Sequence, residues 1–248
     1  MGLNKMGIEK VTRQNKAVDR ELVKLARGAS TEIDNSNIII SQISNPKSLS
    51  DSPIVKELVA IARDGFGTSM TEEDVRNHVL NVDFLHLIYV ENTLVGFGSY
   101  DVFGYLDKKI LYINGIVVKK STQKRGLAII SLNSAINTNN PDILVARTQN
   151  PVIYHLISKY AQEIYPNKDD KPGPLYELCV SIGWYVAVNR LGMKKYNKEL
   201  FFEEGTYSTA LNDEVPIIRD GNTIEVFKRL NLNRERGDSI IIVAVVRK

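Results

Sequence analysis

The sequence predicts an α/β (α+β) fold: a mixed central sheet made of an antiparallel meander followed by a β-α-β crossover, with helices on both faces. Three observations carry this. Apolar runs at residues 84–90, 93–103 and 109–118 follow one another with only Asn92 and the pair Asp107 and Lys108 between them, which is hairpin spacing. The pattern then changes to a helix at 124–137, a strand at 142–147 and a helix at 151–163, the spacing of a crossover between parallel strands. With 248 residues, 43% of them hydrophobic and 25% charged, the chain has the material for a sizeable core and lacks the composition of a disordered segment.

The elements follow in order. Val18, Leu22, Leu25 and Ala26 lie at helical spacing and predict an amphipathic helix within an N-terminal extension, 1–36. A basic organelle leader is the rival reading for this segment, and Glu9, Asp19 and Glu21 count against it. Residues 37–43 (NIIISQI) read as a strand, the polar stretch 44–53 as a loop, and 54–63 as a helix. Thr71 and Asp74 have the spacing of a capping box and start a second helix. Pro141 and Pro151 fall where elements begin. Beyond the crossover, Pro166, Pro172 and Pro174 mark a loop, 175–191 and 223–230 read as helices, and SIIIVAVV at 239–246 suits a buried strand. The expected organisation is a core over 37–163 and a C-terminal elaboration, 164–248, whose last strand joins the same sheet, in one compact domain.

Composition excludes several function classes. One cysteine, Cys179, permits no intramolecular disulfide, and Cys179, His78, His86 and His155 are not at metal-ligand spacing, so no metal is expected. No apolar run reaches the length of a membrane span, so no membrane partner is expected and the chain reads as cytoplasmic. The net charge of +3 is unevenly spread. Residues 1–27 hold seven Lys/Arg against three Asp/Glu, and 108–141 hold six basic residues (Lys108, Lys109, Lys119, Lys120, Lys124, Arg125) with no acid. That middle window is built to meet an anion.

The chemistry concentrates at the strand ending in Val118, the sequence KKSTQKRGLA and the helix after it. Gly126 permits backbone conformations closed to other residues, and a helix start offers unsatisfied N–H groups with a partial positive charge, so a diphosphate fits there. The pattern Gln123-Lys124-Arg125-Gly126-Leu127-Ala128, between a strand and a helix, resembles the acetyl-CoA-binding motif of the GNAT superfamily of N-acetyltransferases, and the order of elements over 37–163 is similar to that family's. The resemblance implies that main-chain groups of Ile116, Val117 and Val118 pair with the pantetheine arm, that N–H groups from Lys124 to Ala128 hold the pyrophosphate with Gln123 opening the loop, and that Asn150 contacts the cofactor arm. It also implies acetyl-CoA as co-substrate and an amine acceptor, small molecule or protein.

Two positions depart from the family's pattern. The glutamate that serves many members as base, eleven residues before the motif, is here Tyr112, a poor base with an ordinary pKa near ~10. Asn114, on the same strand face, is no base either. The general-acid tyrosine, seven residues after the asparagine, is here Ile157. Tyr154, in the first turn of the helix expected to face the cofactor, is the candidate acid. Direct transfer still needs little side-chain chemistry, because holding an amine against a thioester supplies ~7–11 kcal/mol when geometry is good and a main-chain N–H, that of Val118, can polarise the carbonyl.

The leading expectation is therefore an acyltransferase of the N-acetyltransferase kind, working without a metal. The alternative is a GNAT-like protein that binds CoA as a sensor or scaffold. A nucleic-acid module rests only on the basic window, which lacks interleaved aromatic residues between Lys119 and Arg125. His78, His86, His155 and Cys179 read as structural. The segment 164–237 offers a lid, an acceptor pocket or a homodimer surface, and the acceptor is not encoded in any motif.

Overall fold

The computed structural model describes residues 37–67, 70–169, 172–212 and 217–248. The N-terminal helix expected around Val18–Ala26 lies outside them. Eight strands form one sheet: β1 (Ile38–Ile43), β2 (Phe84–Val90), β3 (Thr93–Tyr105), β4 (Lys108–Val118), β5 (Ile143–Thr148), β6 (Ala161–Tyr165), β7 (Phe202–Glu203) and β8 (Ser239–Val246). Their order is β1-β2-β3-β4-β5-β8-β6, with β7 also on β8. Every pairing is antiparallel except β4 with β5. The fold is thus α/β with a mixed central sheet, a meander feeding a crossover.

Helices cover both faces because the inner strands are apolar on both. On β5 and β8, Leu144, Ala146, Ile240, Ile242 and Ala244 join one cluster, while Ile143, Val145, Ile241 and Val243 join another. One face carries α1 (Ile54–Phe66) and α2 (Glu72–Leu80) over β2 to β4, and α5 (Tyr176–Trp184), continued by a π-helical turn Tyr185–Arg190, over β4, β5 and β8. The other face carries α3 (Leu127–Asn139), α4 (Pro151–Ser158) and α6 (Gly221–Arg229). The capping box expected at Thr71 is formed: its hydroxyl accepts from Asp74 N–H at 3.1 Å and Asp74 Oδ2 accepts from Thr71 N–H at 3.3 Å.

The helix expected over 151–163 ends at Ser158, and residues 161–165 turn into edge strand β6. The sequence AQEIY satisfies both periodicities, and β8, supplied from far along the chain, offers the unpaired edge that decides for the strand. The motif helix begins at Leu127 rather than Lys124, which leaves Gln123 to Gly126 as loop.

Within the meander, β4 pairs with β3 through a register skip. Tyr100 lies opposite Ile113 and Ser99 opposite Gly115, so Asn114 has no opposite number. This bulge flips the side-chain alternation, and Tyr112 and Val117 consequently face the same helical layer although they are five residues apart. Beneath α3 sits a buried polar cluster in which His86 Nδ1 meets Ser131 Oγ at 3.2 Å and Tyr100 Oη meets the same Ser131 oxygen at 2.8 Å.

Burial is the main cause that lowers the His86 pKa to about 4. The unfolded chain, with an ordinary histidine, binds more protons below pH 6.5, so stability rises with pH between about 4 and 6.5 and is lost as pH falls through that window. His86 alone is expected to contribute on the order of 3 kcal/mol to that loss. Urea unfolding at pH 7 and pH 4.5 measures it, and His86→Gln should flatten the difference.

Candidate active site

The motif loop leaves β4 through a short turn, Lys120–Thr122. Lys120 N–H donates to Asp64 Oδ2 at 2.6 Å, tying the loop to α1, and Gln123 Nε2 donates to Val118 O at 3.1 Å, folding it back on the strand end. Lys124 (φ 65°) and Gly126 (φ 78°) both take left-handed backbone, the second as the residue that caps α3. A Cβ built on Gly126 would meet nothing within 4 Å, so space is open in front of it. The first helical bond runs from Ile130 N–H to Gly126 O, no side chain caps the helix, and its first turn has no acid. Main-chain donors of Leu127, Ala128 and Ile129 therefore face outward with the positive end of the helix dipole, beside exposed Lys124 and Arg125. This is the arrangement an anionic diphosphate requires.

Next to it the sheet opens. Pairing between β4 and β5 stops at Ile113 opposite Ala146. Lys119 N–H donates to Val95 O, so by antiparallel alternation Val117 and Gly115 also bond to β3, while Ile116 and Val118 turn their main-chain groups toward the opening. This corrects one expectation: Val117 is engaged by Phe97 across the ladder, and the edge is presented by Ile116 and by the N–H of Val118, whose carbonyl is taken by Gln123. A cavity of about 500 Å³ occupies the opening.

The cavity's walls come from α1 and α2 (Phe66, Asp74, His78) with Met70 before α2, from the β4 bulge, from the β5 end with Asn150 and Ile153, and from residues 206–212. Asn150 is the N-cap of α4: its Oδ1 accepts from Val152 N–H at 2.9 Å, which leaves its amide donors for the cavity. Tyr112 lines the cavity, and burial pushes its phenol well above the ordinary value, so it stays protonated. Asn114 is held by Asp101, its Nδ2 donating to Oδ2 at 3.0 Å.

Tyr154 is a correction. Its hydroxyl donates to Pro166 O at 2.7 Å and its ring meets Phe227 edge-on, so it faces α6 and the loop after β6. Ile153 faces the cavity in its place; one residue is about 100° of helix, enough to carry a side chain from one wall to another.

Three residues that sequence reasoning left out of the site also stand here. His78 Nδ1 lies 2.8 Å from Asp74 O, an acceptor, so this nitrogen carries a proton and in the neutral ring the lone pair sits on Nε2. Arg147, at the end of β5, lies 4.9 Å from the centre of the Tyr207 ring. Burial works against its charge, but an arginine's ordinary pKa is so high that the guanidinium stays charged. Only a histidine's forced tautomer or a strand-end arginine facing a loop over fifty residues away would have signalled them, and neither is visible in sequence spacing. Cys179 is buried away from the cavity, with a thiol pushed up to about 12 mainly by burial. Among the described residues no cluster of three or more His, Cys, Asp or Glu could hold a metal, and no helix is long and apolar enough to cross a membrane.

No family model matches the chain, and no curated protein matches it. Solved structures do. A GNAT family acetyltransferase from Elizabethkingia anophelis with acetyl-CoA bound is similar at 15% identity over 86% of this chain and 100% of that one, with a TM-score of 0.42. N-acetylglutamate synthase from Neisseria gonorrhoeae, complexed with coenzyme A and L-arginine, is similar at 17% identity over 56% of this chain and 30% of that one, with a TM-score of 0.39. The match to a Pyrococcus horikoshii protein spans about half of that chain, 47%, at 20% identity.

The wall at 206–212 depends on a close approach: Tyr207 N–H donates to Gly237 O at 2.9 Å, and a Cβ on Gly237 (φ 82°) would lie 1.9 Å from Tyr207 O. Gly237→Ala is expected to cost more than about 2 kcal/mol in chemical denaturation, from left-handed strain and displacement of the Tyr207 segment together.

Proposed function

We propose that this protein is an acetyl-CoA-dependent N-acetyltransferase that moves an acetyl group directly to an amine. The observation that carries the reading is the juxtaposition of an uncapped helix start at Gly126 with an opened sheet whose edge presents main-chain groups of Ile116 and Val118. The open space before Gly126 and the free donors of Leu127, Ala128 and Ile129 fit a pyrophosphate, and Lys124 and Arg125 add charge around it. Ile116 and Val118 would pair with the pantetheine arm as a neighbouring strand does, and the Asn150 amide would donate to it. Acetyl-CoA supplies the activated acyl thioester. The remaining work belongs to the chain: the walls from α2 and residues 206–212 hold an amine against the carbonyl carbon and limit water, and Val118 N–H polarises the carbonyl.

The attacking amine must lose a proton. Tyr112 cannot accept it, since burial keeps that phenol protonated. We assign this role to His78, which stands on the cavity wall and whose Nδ1 contact to Asp74 O selects the neutral tautomer with its lone pair on Nε2. The chain from residue 37 on is read as one unit, because β8 from the C-terminal part lies between β5 and β6. A CoA-binding sensor is the second reading, favoured by the absence of a tyrosine on the cavity face of α4, where Ile153 stands.

Calorimetry of the cofactor-free protein with acetyl-CoA tests the first claim, and Gly126→Glu should weaken binding by about 100-fold or more, because a side chain and a negative charge both enter the diphosphate site. Unchanged affinity in that variant would show the loop to be misassigned. Thiol release with a panel of amines separates transferase from sensor. In the transferase, His78→Gln should lower kcat by about 100-fold or more at unchanged acetyl-CoA affinity, the usual scale for losing a positioned base.

A further inference from the structure

We infer that the acceptor is an amine that also carries a carboxylate, and that Arg147, flanked by the hydroxyls of Tyr207 and Tyr112, is the group that selects it. The inference deepens the transferase reading and rests on it. A buried cation usually has a carboxylate beside it, because taking a charge out of water is costly without a partner. Arg147 is half-buried at the end of β5 between buried neighbours, yet among the described residues no carboxylate reaches ion-pair distance from it; its contacts are the ring and hydroxyl of Tyr207. Glu203, the acid whose charge it feels, is engaged elsewhere: Oε1 accepts from Lys195 N–H at 2.6 Å and Oε2 from Thr206 Oγ1 at 3.2 Å. The nearby Asp101 is likewise engaged, by Arg190 at 3.4 Å and by Asn114.

The donors around Arg147 point the same way. The guanidinium can only donate, so in its bond with Tyr207 the phenol oxygen accepts and the phenol hydrogen is left for another acceptor. The Tyr112 hydroxyl meets no partner among the described residues and lines the same cavity. A planar guanidinium fork with two phenol donors matches a planar two-oxygen anion. The cavity places His78 on the α2 wall and Arg147 on the β5 wall, so one molecule with an amine at one end and a carboxylate at the other spans from proton acceptor to anchor.

The test uses the full chain and a panel of α- and ω-amino acids, each offered also as its amide and as its aminophosphonate. Wild type should acetylate at least one acid with kcat/KM on the order of 100-fold above its amide, the discrimination expected when a half-buried charged donor loses its partner. In Arg147→Gln this preference should collapse through KM, while acetyl-CoA affinity by calorimetry stays unchanged. Tyr207→Phe, which keeps the ring over the guanidinium, should raise KM for the acid by about 10-fold and leave the amide unaffected. Equal rates for acid and amide in wild type would overturn the inference, and so would a preference for the phosphonate, which would make the acceptor a phosphate-bearing amine. If no amine is turned over, protection of Arg147 from phenylglyoxal, read by peptide mass spectrometry, decides: protection by acids and not by amides supports it, and none overturns it. Failure to bind acetyl-CoA at all would instead remove the transferase reading.

Discussion

The site depends on one local constraint, the register skip at Asn114. A strand that stayed in step would keep β4 bonded to β5 along its length, and the sheet would be closed where the cavity now lies. The extra residue bends β4, ends its pairing with β5 at Ile113, and redirects its remaining main-chain groups. Asn114 itself is fixed by Asp101, and Asp101 by Arg190 from the π-helical turn, so the layer of α5 braces the bulge from one side. Glycine at 98 keeps β3 slim beside the bulge, since a Cβ there would strike the Tyr100 hydroxyl at 2.5 Å.

Electrostatics divides the opening into two ends of different character. At the α3 end the positive potential is made from main-chain donors and solvated lysines, suited to a flexible, highly charged group that must also leave. At the β5 end a single half-buried guanidinium sits beside two phenols, where each contact counts for more than at the open surface. The net charge of the chain predicts neither; placement decides both.

Much of the fold was legible because its strands are short, apolar and separated by turn residues, and because Thr71 and Asp74 announce their helix outright. The diphosphate end was legible too, since glycine after a strand and before a helix has few other uses. What could not be read are features set by geometry across the chain. Main-chain groups alternate between the two edges of a strand, and which set meets β3 is settled by the register between them, so Val117 lacks the free edge expected of it. Tyr154 sits one position from the residue that does face the cavity, and which of two adjacent helix positions turns inward is settled by α6 and the loop after β6, which supply the Phe227 and Pro166 partners. Arg147 gains its setting from the Tyr207 segment, sixty residues on, which no local pattern announces.

The insertion of β8 between β5 and β6 has a consequence for how this molecule comes into being. Strand β5 pairs with a partner about a hundred residues further along, so during synthesis it waits with one ladder edge bare, at the slow, long-range end of contact distances. The segment that walls the cavity lies in that interval and is fastened at Gly237, directly before the partner strand. The diphosphate end, made of neighbours in sequence, can assemble early. The selective end exists only once the sheet is zipped shut, so a nascent or partly folded chain has the grip for a phosphate before it has any means of choosing what to modify.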